Sequence, residues 1–489
     1  MVDSGACDAC PPEPAPASLI IQIVLAAYAL AISENIFAAL PVAVVGSMGL
    51  TWLTLVVRER RIALGDRLVL ANYGYWLISL VILAAVPATT LITYSFWRWD
   101  GRIFFYYAPL LFFVTYRVDM RLAARILAIA MGAASILATV GLIQFAFGES
   151  WALPLVRTET TTLGPAKFFF GLHESHNGAA GYYAIIAIGW VALLGWGGSH
   201  LQVPRLLAIA AVVPIIVALT LTVSREALTG FYAAVGILGL FWFLGSRRGG
   251  TLLVLVLAAV LPIATGATDE HVVARVRQTA AVALALVPGG NTAVNPRTTP
   301  SPLVSATQQP GQSASPTPQP TPDPLQTAIE DDSNISSRVQ QWKATAQLIS
   351  WSPIVGIGFS RWNDVWLQWD NLPRGAFTGI RGFVWLARDL AVVNSDDSPH
   401  NSYLVIAGEL GLVGLALLAS LWIWIVRRLL RTARDRASDQ LKGALAIGGI
   451  AVVTFVVFDS LFGHGFGAPS IGLPAILWIG LGLSASERG

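Results

Sequence analysis

Ser398-Pro399-His400-Asn401-Ser402-Tyr403-Leu404-Val405-Ile406-Ala407-Gly408-Glu409-Leu410-Gly411-Leu412-Val413-Gly414 is where the longest polar loop of the chain runs into a long apolar helix. Pro399 has no place inside a helix and pushes Ser398 into extended geometry. The helix therefore starts at about His400 or Asn401, and Asn401 is a good N-cap. From there the chain stays apolar to Val426, long enough to cross a bilayer. The imidazole of His400 then stands at the mouth of a span, at the water boundary. Unpaired backbone N–H groups and the positive end of the helix dipole lie beside it, a setting that favours an anion. A titratable group next to an anion-friendly helix end, at a membrane surface, points to chemistry on a lipid phosphate.

The rest of the chain fits that setting. Of its 489 residues 55% are hydrophobic and only 12% charged, and the mean hydropathy is +0.64. A soluble globular protein of this size carries about twice as much charge. We expect an all-α polytopic membrane protein of twelve spans, near 18–32, 36–57, 68–92, 102–116, 121–147, 177–197, 205–223, 226–245, 251–266, 402–426, 441–461 and 470–486. The net charge of +3 is too small to argue for nucleic acid. Many of the 17 tryptophans lie near expected span ends, where their amphipathic rings favour the interface. Cys7 and Cys10 form a lone CxxC in a Pro-rich tail, 1–17, with no second pair to complete a zinc site.

Basic residues fix the expected orientation. One set of loops holds Arg58, Arg60, Arg61 and Arg67, then Arg117, Arg121 and Arg125, then Arg427 to Lys442. The short loops opposite hold far fewer. Both termini are thus expected in the cytoplasm, and the 267–400 loop outside it. Within that loop, 287–328 is rich in Pro, Thr, Ser and Gln and reads as a flexible insert. Residues 333–351 read as an amphipathic helix, with Ile335, Val339, Trp342, Ala346 and Ile349 on one face and Arg338 at its edge. Residues 401–489 form the last three spans.

The polar residues of interest gather on the outer side. His400 is the candidate base, since histidine titrates near neutral pH and accepts a hydroxyl proton. Arg225 and Glu226 open the eighth span, and an arginine there is costly unless it has a task or a partner. A guanidinium pairs with phosphate oxygens through two parallel bonds, so Arg225 and Arg338 are candidate pyrophosphate clamps. His173-Glu174-Ser175-His176-Asn177 precedes the sixth span; it is one residue short of a zinc-protease motif and reads as a polar, substrate-facing loop rather than a metal site. Glu409, nine residues into the helix from His400, lies on nearly the opposite face. Asp459 and His464 complete the outer polar set. No P-loop or dinucleotide glycine pattern is present, so no nucleotide cofactor is expected and the substrate itself carries the energy.

Taken together, these residues resemble the O-antigen ligase and O-antigen polymerase superfamily of membrane glycosyltransferases. His400-Asn401, nine residues, Gly411, two residues and Gly414 fit the ligase pattern throughout. Ser224-Arg225, Arg338 with Trp342-Lys343-Ala344, the turn Ser352-Pro353-Ile354-Val355-Gly356-Ile357-Gly358, and His176-Asn177-Gly178 fit its other segments, over roughly 160–415. Two features depart from it: the 287–328 insert, and Glu226 where a small residue is common. The resemblance implies a C-type glycosyltransferase-like fold in the cytoplasmic membrane, and a metal-independent, inverting transfer. The donor would be a glycan on undecaprenyl pyrophosphate, and the acceptor a hydroxyl on a lipid or a growing glycan. It implies catalytic roles for His400, Arg225 and Arg338, and substrate-binding roles for Asn401, His176, Asn177, His173, Glu174 and Glu226. Two alternatives stand beside the ligase: a polysaccharide polymerase of the same family, and a lipid-linked glycan flippase. The flippase is disfavoured because no paired repeat with broken helices is visible.

Overall fold

A computed structural model describes residues 19–32, 39–59, 64–79, 101–148, 155–161, 164–173, 175–197, 204–245, 249–267, 400–434, 439–463, 465 and 468–485, and positions 338, 341–343, 345–346, 349–350, 352–356 and 358 of the long loop. The Cys7–Cys10 tail, the 287–328 insert, Glu174 and His464 fall outside these residues.

Among the described residues the chain forms twelve helices and one hairpin: α1 Leu19–Ala31, α2 Ala39–Glu59, α3 Leu64–Ile78, α4 Gly101–Thr115, α5 Met120–Phe147, β1 Val156–Thr161, β2 Gly164–Phe169, α6 His176–Trp196, α7 Arg205–Leu221, α8 Arg225–Leu244, α9 Gly249–Gly266, α10 Ser402–Arg434, α11 Gln440–Phe462 and α12 Pro469–Ser484. Each falls on an expected span. Seven are long and apolar enough to cross a membrane, and α1, α7 and α12 are shorter apolar helices. The chain is a polytopic membrane protein.

The layers follow from which helices are apolar all round. α6 is buried along its whole apolar length, and α12 nearly so. A helix with no polar face belongs inside. Packing between apolar helices in lipid gains little from the hydrophobic effect, so it relies on close contact through small residues. Gly189 of α6 lies on the indole of Trp478 of α12, with no room for a Cβ. α11 is the hub and packs on α6, α8, α10 and α12. The outer helices show aliphatic side chains outward, such as Leu253, Val260 and Ile263 on α9, as lipid contact requires.

Three local features depart from the sequence reading. The first is the antiparallel hairpin β1–β2, with Val156 opposite Phe169 and Thr161 opposite Gly164. Leu155 N–H at its base donates to the buried side-chain oxygen of Gln144 in α5. The second is a break in α10 at Gly411 (φ 64°, ψ −165°). The turn 352–358 docks there. Gly358 N–H donates to Glu409 O (2.9 Å), Leu412 N–H to Pro353 O (2.8 Å) and Val413 N–H to Ile354 O (3.1 Å). Backbone groups freed by the break thus find partners in the loop, as they must inside a bilayer. A Cβ on Gly411 would strike the Ile354 carbonyl, and one on Gly356 the Glu409 carbonyl.

The third is the rotation of the loop helix. Positions 338, 341–343, 345–346 and 349–350 are helical, as the periodicity predicts. Gln341 and Thr345 are its most buried side chains, while Ala346, from the expected apolar face, is exposed. Ile335 and Val339 lie outside the described residues. The helix packs on protein rather than lipid, so its polar side turns inward and carries Arg338 with it.

Candidate active site

The C-terminal end of α11 gathers the candidate residues. The last carbonyls of any helix lack partners within it. Here two other segments supply them. Asn401 Nδ2 donates to Leu461 O (2.9 Å), Arg338 Nη1 to Phe462 O (2.9 Å) and Ser402 Oγ to Gly463 O (3.3 Å). One turn earlier, Tyr403 OH donates to Val457 O (3.1 Å). The start of α10 and the loop helix are therefore built onto the same helix end.

Asn401 is the N-cap of α10: its Oδ1 accepts from Leu404 N–H at 3.0 Å. His400 precedes it with a positive φ of 45° and a half-buried side chain. That backbone sets His400 just outside the helix, one residue before its N-cap. The N-terminus of α8 is built in a similar way. Val223 has φ 57°, and the Ser224 hydroxyl accepts from Ala227 N–H, so Arg225 becomes the first helical residue.

Glu226 follows, and it does not serve Arg225 alone. It forms an ion pair with Arg338, carboxylate oxygen to Nη2. Arg338 is thus held between a carboxylate and the Phe462 carbonyl, and its Nε is buried without a hydrogen-bond partner among the described residues. Asp459 of α11 stands next to the pair. The position a Cβ would take on Gly463 lies 2.7 Å from Glu226 Oε2 and 3.5 Å from Asp459 Oδ2. Gly463 has an ordinary φ, so it is glycine for space: the two carboxylates fill the room a side chain would need. Asp459 Oδ2 is buried and has no hydrogen-bond partner among the described residues.

The hairpin adds a shelf. His176 stacks on Phe168 (5.0 Å, 25°) and meets Phe170 edge-on, and Arg157 lies 4.7 Å over Phe170. Phe168, Phe170 and Val223 pack together, which joins the shelf to the turn before Arg225. Asn177 is half-buried on the first turn of α6. His173 is placed differently. It is 1% exposed, packs on Tyr182, and both ring nitrogens lack hydrogen-bond partners among the described residues. Burial lowers its pKa to about 4. It lies under the shelf, not on it. The run Phe168-Phe169-Phe170 and the pair Tyr182-Tyr183 are the sequence signal for that burial. Glu409 is buried beside the α10 break, away from His400.

Residues 209–419 match the family model described as O-Antigen ligase. This stretch is similar to the O-antigen ligase family. It runs from α7 into α10 and holds Arg225, Glu226, Arg338, His400 and Asn401, together with both sides of the Gly411 junction. The aromatic shelf and the end of α11 lie outside the matched residues. No curated protein matches the chain. Among the described residues no group of three His, Cys, Asp or Glu side chains is placed to hold a metal ion.

Proposed function

We propose that the protein transfers a glycan from undecaprenyl pyrophosphate to an acceptor hydroxyl at the outer face of the cytoplasmic membrane, as an O-antigen ligase does. The carrying observation is the convergence of Arg338, the His400–Asn401 helix start and the α8 start on the end of α11. Two guanidinium groups next to helix N-termini suit a pyrophosphate. His400 beside them suits the hydroxyl that attacks. In this reading the acceptor oxygen bonds to the anomeric carbon from the face opposite the pyrophosphate, inverting it. The bond from that carbon to the phosphate oxygen breaks. His400 takes the hydroxyl proton, and undecaprenyl pyrophosphate leaves with its new charge held by Arg225, Arg338 and the first N–H groups of α10. The guanidinium groups do the work a divalent metal does in many phosphate sites. His176, Asn177 and the aromatic shelf position sugar rings.

Orientation supports the reading. Arg427, Arg428, Arg431 and Arg434 lie at the far end of α10 from His400, and the positive-inside tendency favours an outer position for the site. The test is an envelope polysaccharide gel of a deletion strain complemented with wild type or His400→Ala. Long chains retained on the lipid carrier in the variant support a ligase. Accumulation of single repeat units would reassign it as a polymerase, and an unchanged profile in the deletion strain would remove the transferase reading.

A further inference from the structure

Glu226 is a charged residue with no step in the proposed mechanism, and it occupies one of the two candidate phosphate-binding arginines. Its carboxylate is paired to Arg338, at the negative end of the α11 dipole and beside the Asp459 carboxylate. Arg338 and Arg225 are the cations that face this group. An incoming pyrophosphate needs the same Nη2 that Glu226 holds. Phosphate and carboxylate compete for a guanidinium fork through the same geometry, and one edge of the fork holds only one of them.

We propose that Glu226 is an internal competitor for the donor's pyrophosphate: it holds Arg338 in the empty site, yields it when a lipid pyrophosphate binds, and takes it back as the product leaves. This rests on the transferase reading above. The consequence falls mainly on the product. Glycosyl transfer leaves undecaprenyl pyrophosphate with one more negative charge than the donor had, so the site would hold its product more tightly than its substrate. A resident carboxylate at Arg338 offsets that and speeds release. It also sets a threshold, because a monophosphate displaces Glu226 less well than a pyrophosphate does.

The experiment measures binding of farnesyl pyrophosphate and farnesyl monophosphate to the detergent-solubilised full chain, wild type against Glu226→Gln. If Arg338 is available about one-tenth of the time in the wild type, the variant binds the pyrophosphate about ten-fold more tightly. Discrimination against the monophosphate narrows, and inhibition of transfer by added farnesyl pyrophosphate strengthens. Equal or weaker pyrophosphate binding by Glu226→Gln overturns the proposal. Should that variant not fold, Glu226→Asp carries the same test: it keeps the charge, shortens the reach, and should tighten binding by a smaller factor, while unchanged affinity counts against competition. Failure of the wild type to bind either isoprenoid phosphate would instead sink the transferase reading, because this measurement needs no turnover.

Discussion

His400 sits in the left-handed backbone region, where asparagine fits more readily than most residues. That makes His400→Asn a cleaner substitution than alanine, because it keeps the turn and removes the base. We expect transfer to fall by about 100-fold or more, with the thermal unfolding midpoint in detergent unchanged; a folded His400→Asn protein with full activity would remove the imidazole from the mechanism. His173 makes the opposite case. It lies buried and neutral with its pKa lowered to about 4 by desolvation, against about 6.5 in an unfolded chain. The unfolded state therefore binds the proton first. Stability conferred by the neutral ring is complete above pH 6.5 and is lost as pH falls towards 4. Unfolding midpoints measured from pH 7 to pH 4 should drop less for His173→Leu than for the wild type. His400 and Arg225 stand out in the sequence, one at a proline-bounded helix start and one as a charge at a span edge, whereas Arg338 is an ordinary cation at the edge of an amphipathic helix. Glu226 pairing with Arg338 is not legible there, since 112 residues separate the two.

At the scale of elements, the break in α10 is the feature that local patterns hid. Gly408, Gly411 and Gly414 recur every third residue and read as one small-residue face of a continuous helix. What turns Gly411 into a break is the 352–358 turn, some fifty residues earlier, and only the fold reveals it. The two glycines nearest the junction should respond very differently to alanine. Gly411→Ala forces a side chain into the left-handed region and against the Ile354 carbonyl, which should destabilise by more than about 3 kcal/mol. At Gly408 the added methyl would meet Thr345 Cγ2 at 3.5 Å, ordinary contact, and stability should change by less than about 1 kcal/mol. Unfolding curves of both variants in one detergent decide it; similar losses would show that the docked turn does not define the break. The loop helix teaches a related lesson. Its period was readable, but which face turned inward depended on Arg338 reaching Phe462 O.

For the whole molecule, helix polarity alone brings the site together. The starts of α6, α8, α10 and α12 and the end of α11 share one face, as Gly178 against Ser470 and Glu226 against Gly463 show. Alternating spans place every second helix start on the same side, and the apolar runs of the sequence show where the described helices fall. The hairpin escaped because its alternation is weak and its apolar partners, Val223 and His176, come later in the chain. Sidedness is checked by cysteine labelling in a Cys7/Cys10-free background. Lys167→Cys on the exposed face of β2 should react with a membrane-impermeant maleimide in intact cells, and Arg434→Cys only after permeabilisation. The reverse pattern would put the arginine-rich end outside and invert the orientation.

The docking of 352–358 on the α10 break has a consequence for how this chain tolerates change. Arg338 is located from its C-terminal side, through a turn riveted to the same helix that begins at His400, and from across the site by the Phe462 carbonyl. None of those fixings passes through the stretch upstream of Arg338. Among the described residues these fixings do not depend on the length of that stretch, so residues gained or lost there should leave the gap between the two candidate catalytic groups unchanged. Excising residues 296–324 should leave transfer within about two-fold, since loop-closure entropy changes slowly with length. A chain built this way can accept a long insertion exactly where this one carries its Pro- and Thr-rich segment.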